Sequence, residues 1–414
     1  MKNNTSFDLI VIGAGAAGMV AAITSARDGK KVLLVEKLSQ VGAKLKATGG
    51  GRCNLTNTLK DEEFMAKFGR DGRFMQDALK AFSSNDLQEF MKDIGVETHA
   101  PDGFRVFPTT HSSSTIINAF TQELDKLNVS IITAERVEHI LINELSITGV
   151  KTSQNTYDAK KIILASGGLG YPVLGAEGDG YKLSQELGHS TTALHPAMMP
   201  LKTKETWVSE CRADTIANAT LKVALKKYKK IKITDDLIFT KTGIRGPAVL
   251  DFAREITPLI DKYGEVPLLV NLTKGMDEDS ILKHFKKVQN NQSDAKVIDL
   301  VQSLLPKALS HELCKLCDAK DEAKLKDLDG QTRQKLIEIL AWTPLTIIGH
   351  DGFKLAMITR GGIKLNEINP KTMQSKLING LYFCGEVMNI DGPCGGYNLQ
   401  WSFSSGYLAG KLLD

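Results

Sequence analysis

The stretch Phe7-Asp8-Leu9-Ile10-Val11-Ile12-Gly13-Ala14-Gly15-Ala16-Ala17-Gly18 decides the fold of this chain. Its apolar first half predicts a short β-strand, and the small residues that follow the glycines predict a helix to about Arg27. Lys31 to Val35 predicts a second strand, which ends in Glu36. A strand, a glycine turn, a helix and a second strand ending in an acid are typical of a βαβ unit that binds a dinucleotide.

The three glycines of this unit have separate expected roles. Gly13 permits the tight turn, Gly15 lets the main chain approach a pyrophosphate, and Gly18 lets the helix pack on the strand. The N-terminus of the helix attracts phosphate groups. Glu36 stands eighteen residues after Gly18 and is placed to accept hydrogen bonds from a ribose hydroxyl.

Length and composition limit the classes of protein to consider. At roughly 150 residues per domain, 414 residues predict two or three domains. Hydrophobic residues make up 42% and charged residues 24%, which excludes a disordered or fibrous chain. Lysine and arginine (52) exceed aspartate and glutamate (48) by only 4, so contact with a nucleic acid would need a local patch. Six cysteines in so long a chain exclude a disulfide scaffold.

One uncharged segment, Leu9 to Ala26, resembles a membrane span or a signal peptide in its length. Its glycines, the preceding Asp8 and its β-type beginning argue against both interpretations. We therefore expect a soluble, cytoplasmic protein.

A second glycine-rich stretch, Thr48 to Asn57, follows the acid of the βαβ unit. Consecutive glycines let main-chain N–H groups gather around an extended ligand. Arg52 is placed to pair with a phosphate, and Asn54 to hold the edge of a ring. The alternative, a flexible loop, is disfavoured by the position directly after the ribose-binding acid.

The C-terminal region supplies the other half of the predicted site. Leu377 to Gly385 predicts a buried strand followed by Glu386, and a terminal helix is expected from Gln400 to about Leu413. The Gly-Gly turn between them brings a helix N-terminus towards a ring that gains negative charge on reduction, which suits a flavin better than a nicotinamide. Lys161 to Ala165 predicts one more apolar strand, before Ser166-Gly167-Gly168.

These motifs resemble the two-dinucleotide-binding flavoprotein superfamily, and within it the BaiN/RdsA-like family of FAD-dependent oxidoreductases, some of which carry an aminoacetone-oxidase-like label. The matching stretches include GAGAAG, ATGGGRCNLTN, LASGGLGYPVLGAEGDGY, FTKTGIRGP and DGPCGGYNLQWSFSSG, and the resemblance runs from Phe7 to Gly410. The chain departs from the family pattern at Lys241 and Arg245, where a His and a Ser are expected, and at Asn389, where many relatives carry an acid. Any role of those family residues is in doubt here.

The resemblance implies an α/β fold with a Rossmann-like, glutathione-reductase-like FAD-binding domain that is discontinuous. Its expected parts are residues 1–193 and 344–414, with an inserted β-barrel domain at 194–274 and a helical domain at 275–343. The sequence agrees, because residues 219–274 are β-rich and residues 278–342 have a helical pattern.

FAD is the expected cofactor, and no metal is expected. His311, Cys314 and Cys317 form only half of a zinc site. No second dinucleotide fingerprint is found, so NAD(P)H is expected as a transient electron donor. The motifs and the resemblance together assign FAD binding to Gly13, Gly15, Ala16, Ala17, Gly18, Glu36, Lys37, Lys44, Gly50, Gly51, Arg52, Cys53, Asn54, Val137, Ala165, Ser166, Gly167, Gly385, Glu386, Asp391, Gly395, Gly396, Asn398 and Leu399.

The expected chemistry is reduction of a conjugated C=C bond, which requires a proton donor opposite the hydride. The candidates are Cys394, Cys53 and Tyr397. Cys394 lies in a glycine-lined turn at a helix N-terminus, which favours a reactive thiolate. The alternative for Cys394 is a small packing residue.

Two reductions are linked to the family, of uridine to dihydrouridine in 23S ribosomal RNA and of dehydro bile acids. Basic residues in the insert favour the RNA, and they are Lys222, Lys226, Lys227, Lys229, Lys230, Lys232, Lys241 and Arg245. A solvated hairpin that maintains solubility also explains the lysine cluster. An amine oxidase and a non-enzymatic flavin-binding factor stay open as further alternatives.

Overall fold

The computed structural model describes residues 6–413. The chain forms two compact units, and each is described by itself. The dinucleotide unit contains the residues up to 195 and from 357 onward, and the inserted unit contains residues 196–356.

The strands in chain order are β1 (Ser6–Ile12), β2 (Val32–Val35), β3 (Thr56–Asn57), β4 (Thr98–His99), β5 (Arg105–Pro108), β6 (Ser130–Ile132), β7 (Val137–Asn143), β8 (Ser146–Thr152), β9 (Thr156–Leu164), β10 (His195–Ala197), β11 (Leu201–Thr203), β12 (Thr215–Val223), β13 (Lys232–Phe239), β14 (Gly243–Arg245), β15 (Val266–Asn271), β16 (Thr343–His350), β17 (Ile358–Arg360) and β18 (Leu381–Phe383).

The helices are α1 (Ala16–Arg27), α2 (Ala43–Ala47), α3 (Asp61–Ala66), α4 (Gln76–Ala81), α5 (Ser84–Asp93), α6 (Ser113–Lys126), α7 (Asp179–Glu186), α8 (Pro247–Tyr263), α9 (Glu278–Asn291), α10 (Val297–Gln302), α11 (Lys307–Leu316), α12 (Gly330–Ala341) and α13 (Tyr397–Gly410).

A twisted sheet forms the core of the dinucleotide unit. Its order in the described chain is β6-β2-β1-β9-β8-β7, and β18 also pairs with β9. The strands β6, β2, β1, β9 and β18 run parallel, whereas β8 and β7 return antiparallel. Parallel strands are buried on both faces, which explains why β1 and β2 are nearly continuous apolar runs.

The first and last helices of this unit pack closely because α13 presents glycines to α1. A Cβ atom on Gly406 would lie 2.4 Å from the carbonyl oxygen of Ala17, and one on Gly410 would lie 2.6 Å from that of Ala21. The terminal helix begins at Tyr397, three residues before the expected Gln400, and the preceding strand is only Leu381–Phe383.

The carboxyl ends of three neighbouring parallel strands meet at one edge of the sheet. Ala165 N donates to Ile12 O (2.9 Å), and Cys384 N donates to Leu164 O (3.2 Å). The loops that follow β1, β9 and β18 therefore begin side by side, at the edge where open α/β sheets bind ligands.

The inserted unit contains a closed barrel of β11-β14-β13-β12-β15-β16 within the described chain. The expected β-rich region 219–274 is interrupted by the 17-residue helix α8, which an amphipathic pattern from Pro247 onward stabilises. The barrel is closed by β16, whose residues from 344 onward were expected in the FAD-binding domain.

The helices of the inserted unit share one hydrophobic core with the barrel. Phe285 of α9, Leu309 of α11 and Leu336 of α12 are fully buried in the same cluster as Leu268 of β15. The structure therefore places the barrel and the helices in one unit, where the sequence-based division had two. None of the helices in the described range 6–413 is long and apolar enough to cross a membrane.

A buried histidine joins two segments of the dinucleotide unit. His189 contacts Glu367 through Nδ1 (3.0 Å) and the hydroxyl of Ser375 through Nε2 (2.8 Å). Burial lowers the pKa of His189 below its ordinary value, against the opposing effect of Glu367. The imidazole is therefore neutral in the folded protein under conditions where it is charged in the unfolded chain.

We expect this histidine to make the free energy of unfolding fall as the pH falls from about 7 to 5. The unfolded chain takes up the proton near its ordinary pKa of about 6.5, whereas the folded protein takes it up only at lower pH. The contribution of His189 to the free energy of unfolding is therefore largest above the pKa of this group in the unfolded chain, and it decreases below that pKa. Urea unfolding at a series of pH values should show a shallower decline for His189→Asn, and equal slopes in the two proteins would contradict this expectation.

Candidate cofactor site

The loop between β1 and α1 has the geometry of a phosphate-binding turn. Gly13 has φ +102°, and a Cβ there would lie 2.7 Å from Ala165 O, whereas a Cβ on Gly18 would lie 1.9 Å from Gly13 O. A Cβ on Gly15 would meet nothing within 4 Å. Two of the glycines therefore serve the packing of the turn, and Gly15 leaves open space in front of the helix.

The first turn of α1 borders that space. Gly15 is the N-cap and offers no side chain to it, and Ala16 and Ala17 are the first two helical residues. The N–H groups of a first helical turn have no partner within the helix. Unblocked main-chain donors beside open space are what an anionic phosphate needs.

The carboxylate of Glu36 is fixed at the end of β2. Its Oε2 accepts from Ala14 N (2.8 Å) and its Oε1 accepts from Leu38 N (2.9 Å). Each carboxylate oxygen has a further lone pair. The residue predicted to bind a ribose is thus oriented by the main chain of the phosphate turn.

Lys37 belongs to an ionic network that sequence reasoning missed. Its Nζ contacts Glu177 (2.9 Å) and Asp179 (2.5 Å), and the guanidinium of Arg136 contacts the same two acids. Hydrogen bonds from Arg136 and then Lys37 lower the pKa of Glu177 to about 2. No local pattern links residues so far apart in the chain.

Val137 and the segment after β9 were also predicted to bind FAD. Val137 is buried at the start of β7, and Ala165 is buried after β9. The hydroxyl of Ser166 is buried and has no hydrogen-bond partner within residues 6–413. Gly167 has φ +70°, and a Cβ there would meet nothing within 4 Å.

The second glycine-rich stretch is also open towards the outside. Gly50 and Gly51 have φ +66° and +87°, and a Cβ on either would meet no atom within 4 Å. Arg52 is exposed, with its guanidinium carbon 5.6 Å from the ring centroid of Phe107. Left-handed backbone at successive glycines turns main-chain N–H groups towards one side.

Lys44 and Glu386 form an ion pair that joins the two ends of the chain. Lys44 Nζ lies 2.6 Å from Glu386 Oε2, and Glu386 Oε1 accepts from Thr359 N (2.8 Å). Gly385, immediately before, has φ +76° and donates from its N–H to Ser405 Oγ (2.9 Å). Both charged residues are only partly exposed, so each is held in place.

Two asparagines hold the C-terminal glycine loop against β3. With its amide oriented to satisfy both neighbours, Asn54 accepts from Gly396 N (3.0 Å) and donates to Thr56 O (2.9 Å). Asn57 Nδ2 donates to Gly395 O (2.9 Å). A Cβ on Gly396 would lie 2.5 Å from Thr56 O. Gly396 and Asn54 therefore join the C-terminal glycine loop to β3. Because a side chain at Gly396 would disturb this packing, loss of FAD from a Gly396 variant would not separate a folding defect from a binding defect.

Asn398 has a similar structural part at the start of α13. Its Oδ1 accepts from Gly392 N (2.7 Å), and its Nδ2 donates to Gly392 O (2.9 Å). The loop from Asp391 to Gly396 is thereby tied to the helix that follows, in which Leu399 is half-buried. Asp391 is half-buried at the start of that loop.

The three proton-donor candidates differ in their exposure. Cys53 is fully buried with φ +60°, and burial raises the pKa of its thiol to about 11. Tyr397 is 4% exposed, and its ring packs against Phe64 at 5.0 Å. Cys394 alone among these three is exposed.

The predicted basic residues do not form one patch. Lys222 pairs in register with Lys232 at one end of β13, whereas Arg245 pairs with Ile238 near the other end, where Lys241 follows the strand. Lys232 and Ile238 are six residues apart in β13, so the two groups are about 20 Å apart along the strand at about 3.3 Å per residue. Lys241 and Arg245 are therefore distinct from the lysine cluster.

The residues present fit FAD. A Cβ on Gly15, Gly50, Gly51 or Gly167 would meet no atom within 4 Å, and the buried hydroxyl of Ser166 has no partner among the described residues. Unblocked main chain and a buried polar group without a partner are features that a bound dinucleotide requires. This fold and this site define a Rossmann-type flavoprotein. The family model described as "HI0933-like protein Rossmann domain" matches residues 7–412, and the chain belongs to that family.

The relatives indicate the class of chemistry. The chain is 31% identical over 403 residues to a 3-dehydro-bile acid delta(4,6)-reductase of Clostridium scindens, with 97% of each chain covered. It is 30% identical over 407 residues to a ribosomal RNA dihydrouridine synthase of Escherichia coli, with 98% of each covered. The chain is accordingly an FAD-dependent oxidoreductase by family.

A solved structure agrees on the fold. The 3-ketosteroid-delta4-(5alpha)-dehydrogenase of Rhodococcus jostii RHA1 matches with a TM-score of 0.52 at 16% identity, covering 98% of this chain and 96% of that chain. The comparison supports the architecture of a Rossmann-type flavoenzyme.

Proposed function

We propose that this protein uses NAD(P)H and bound FAD to reduce uridine to dihydrouridine in 23S ribosomal RNA. Support comes from a whole-length relative at 30% identity that is named a ribosomal RNA dihydrouridine synthase. A second support is the exposed lysine cluster of the inserted unit, in a chain whose net charge is only +4. A ribosomal RNA substrate fits the cytoplasmic location expected from the sequence.

The dinucleotide unit holds the cofactor in this proposal. The first turn of α1 and Gly15 take the pyrophosphate, and Glu36 takes the adenosine ribose. Ser166 and Glu386 take polar groups nearer the flavin. When bound, FAD supplies hydride transfer from the nicotinamide to the substrate.

The chain itself supplies the proton. Reduction of the C5=C6 bond of uracil adds a hydride at C6 and a proton at C5. We assign the proton to the neutral thiol of Cys394, which is exposed in a loop that Asn398 fixes. The nearby helix N-terminus stabilises the thiolate that is left after the proton is transferred. Cys53 suits this role poorly, because it is fully buried and burial raises the pKa of its thiol to about 11.

Reduction of a small conjugated ketone is the second candidate function. It is favoured by the similarity to the bile-acid reductase, at 31% identity over 97% of each chain. The chemistry is shared, since both substrates present a C=C bond conjugated to a carbonyl. The lysine cluster has no part in binding a steroid, and it is the feature that favours RNA.

Ribosomal RNA from cells with and without the gene tests the proposal. We expect dihydrouridine in the 23S RNA of the parent strain and its loss in the deletion strain, measured by mass spectrometry of nucleosides. Equal dihydrouridine in both strains would refute the RNA substrate. Turnover of a steroid dienone by the purified enzyme at a rate above that of RNA would favour the second candidate.

Charge reversal of the lysine cluster is expected to lower RNA turnover and leave the flavin chemistry intact. Lys226, Lys227, Lys229 and Lys230 are exposed and lie in none of the ion pairs of the described residues. Replacing all four by Glu should weaken RNA binding by about 10²-fold or more at low salt, since several phosphate contacts are lost. Oxidation of NAD(P)H by the free enzyme serves as the control and should be unchanged. Equal RNA turnover in the variant and the parent would contradict a phosphate-binding role.

A further inference from the structure

Two tyrosines and a lysine form a small exposed cluster on the inserted unit, here called the tyrosine cluster (Tyr228, Lys262 and Tyr263). The rings of Tyr228 and Tyr263 are 6.0 Å apart and meet edge to face at 72°. Their hydroxyl groups are 3.3 Å apart, and Lys262 Nζ donates to Tyr228 Oη (3.3 Å). Lys262 Nζ also lies 5.0 Å from the centroid of the Tyr263 ring.

The two rings are held differently. Tyr228 packs partly against the core of the inserted unit, and its main chain closes the turn by accepting from Ile231 N (2.9 Å). Tyr263, at the end of α8, leaves 44% of its surface exposed. A tyrosine has only two side-chain torsions, so a ring already held by neighbours loses little entropy when a ligand stacks on it.

The tyrosine cluster is continuous with four exposed lysines of the adjoining turn, here called the lysine tip (Lys226, Lys227, Lys229 and Lys230). Tyr228 ends the short turn Lys226–Tyr228 between β12 and β13, and Lys229 and Lys230 follow at once. Hydrogen bonds from Tyr263 and Lys262 lower the pKa of Tyr228, and the charges of Lys262 and Lys227 lower it further. A partly exposed aromatic ring therefore lies beside several cations.

The acidic residues that flank Tyr263 in sequence are fewer than the lysines of the neighbouring turn. Asp261 and Glu265 flank Tyr263 in sequence, and Glu265 is paired with Lys204 at 3.1 Å. The turn between β12 and β13 carries four exposed lysines that form no ion pair among the described residues, namely Lys226, Lys227, Lys229 and Lys230.

We propose that the tyrosine cluster stacks an unpaired base of RNA on Tyr263 while the lysine tip contacts the adjoining phosphates. Exposed aromatic rings interleaved with cations are the combination by which proteins hold single-stranded nucleic acid. A double helix buries its base faces, so this arrangement selects unpaired nucleotides, such as those of a loop. The choice of RNA rests on the proposed function, and the stacking contact specifies which part of the RNA is held.

Stacking and phosphate contact have separable effects on binding. Loss of a stacked base by alanine substitution weakens binding by roughly 5- to 150-fold and leaves the salt dependence unchanged. Loss of one phosphate contact lowers the slope of log affinity against log salt by about 0.7 for a single strand.

The test measures binding of a labelled single-stranded uridine oligonucleotide and of a paired RNA duplex to the full-length protein at several salt concentrations. Tyr263→Ala should weaken single-strand binding within that range at an unchanged salt slope, and should leave duplex binding nearly unaltered. Tyr263→Phe keeps the ring and is the matched control, with wild-type affinity. Lys229→Ala should lower the slope.

Equal losses for single strand and duplex, or no loss with Tyr263→Ala, would overturn the stacking contact. Tighter binding to phosphatidylserine vesicles than to RNA would also overturn it. The binding test is independent of turnover. Unchanged dihydrouridine in the deletion strain would refute the proposed function alone, and failure of Tyr263→Ala to alter binding would refute the stacking contact alone.

Discussion

Gly15→Val is expected to fold like the parent protein and to be purified without FAD. The main chain at Gly15 has φ −84° and ψ −171°, which any residue adopts, and a Cβ there would meet no protein atom within 4 Å. The valine side chain would therefore cost the fold little. It would fill the space in front of α1, where the pyrophosphate must approach the main chain. FAD released on denaturation, measured per mole of protein, should fall from near stoichiometric to near zero.

Two other glycines serve as controls for this variant. Gly330, at the first position of α12, also has no atom within 4 Å of a Cβ, so Gly330→Val should fold and retain FAD. Gly18→Ala should instead fail to fold, because its Cβ would lie 1.9 Å from Gly13 O. Normal FAD content in a folded Gly15→Val protein would show that the pyrophosphate does not lie there.

Local sequence patterns were sufficient for several elements of the dinucleotide unit. The apolar run, glycine turn and helix predicted over Phe7 to Arg27 correspond to β1 and α1. The strand predicted at Lys161–Ala165 corresponds to the end of β9. These elements are predictable because their hydrophobic periodicity and their glycines are set by contacts between near neighbours in sequence.

The inserted unit was harder to predict because its elements depend on distant partners. The helix α8 lies between strands whose alternation suggested an uninterrupted β region, and an apolar face towards the barrel stabilises it. The strand β16 pairs with β15 after more than seventy intervening residues. Periodicity predicts the type of an element and gives no information on which distant strand closes a barrel.

The site shows the same limit at the level of side chains. Asn54 and Gly396 were both expected to bind FAD, and in the structure Asn54 accepts a hydrogen bond from Gly396 N. The network of Lys37, Arg136, Glu177 and Asp179 joins segments that only the fold brings together. The residue types in the sequence predict where the glycine loops lie. The hydrogen-bond or ion-pair partner of each polar side chain depends on the tertiary structure.

The loop that carries Cys394 is ordered by contacts on both of its sides. Asn398 holds its first half through Gly392, and Asn57 holds its second half through Gly395 O. The thiol between these anchor points is exposed. A proton donor needs both a fixed position and access to the substrate. Cys394 meets these two requirements, whereas the buried Cys53 meets only the first.

Cys394→Ala is therefore expected to slow substrate reduction by about 10²- to 10⁴-fold, the usual contribution of a general acid. Reduction of the flavin by NAD(P)H, followed by its absorbance in a stopped-flow instrument, should proceed at the parent rate because that step needs no proton at C5. Reoxidation is then measured with 23S RNA from a deletion strain. Cys317→Ala removes a buried thiol of the inserted unit, so it is the control and should reoxidise normally. If Cys394→Ala also reoxidises at the parent rate, the thiol only packs in its loop and the proton comes from another group.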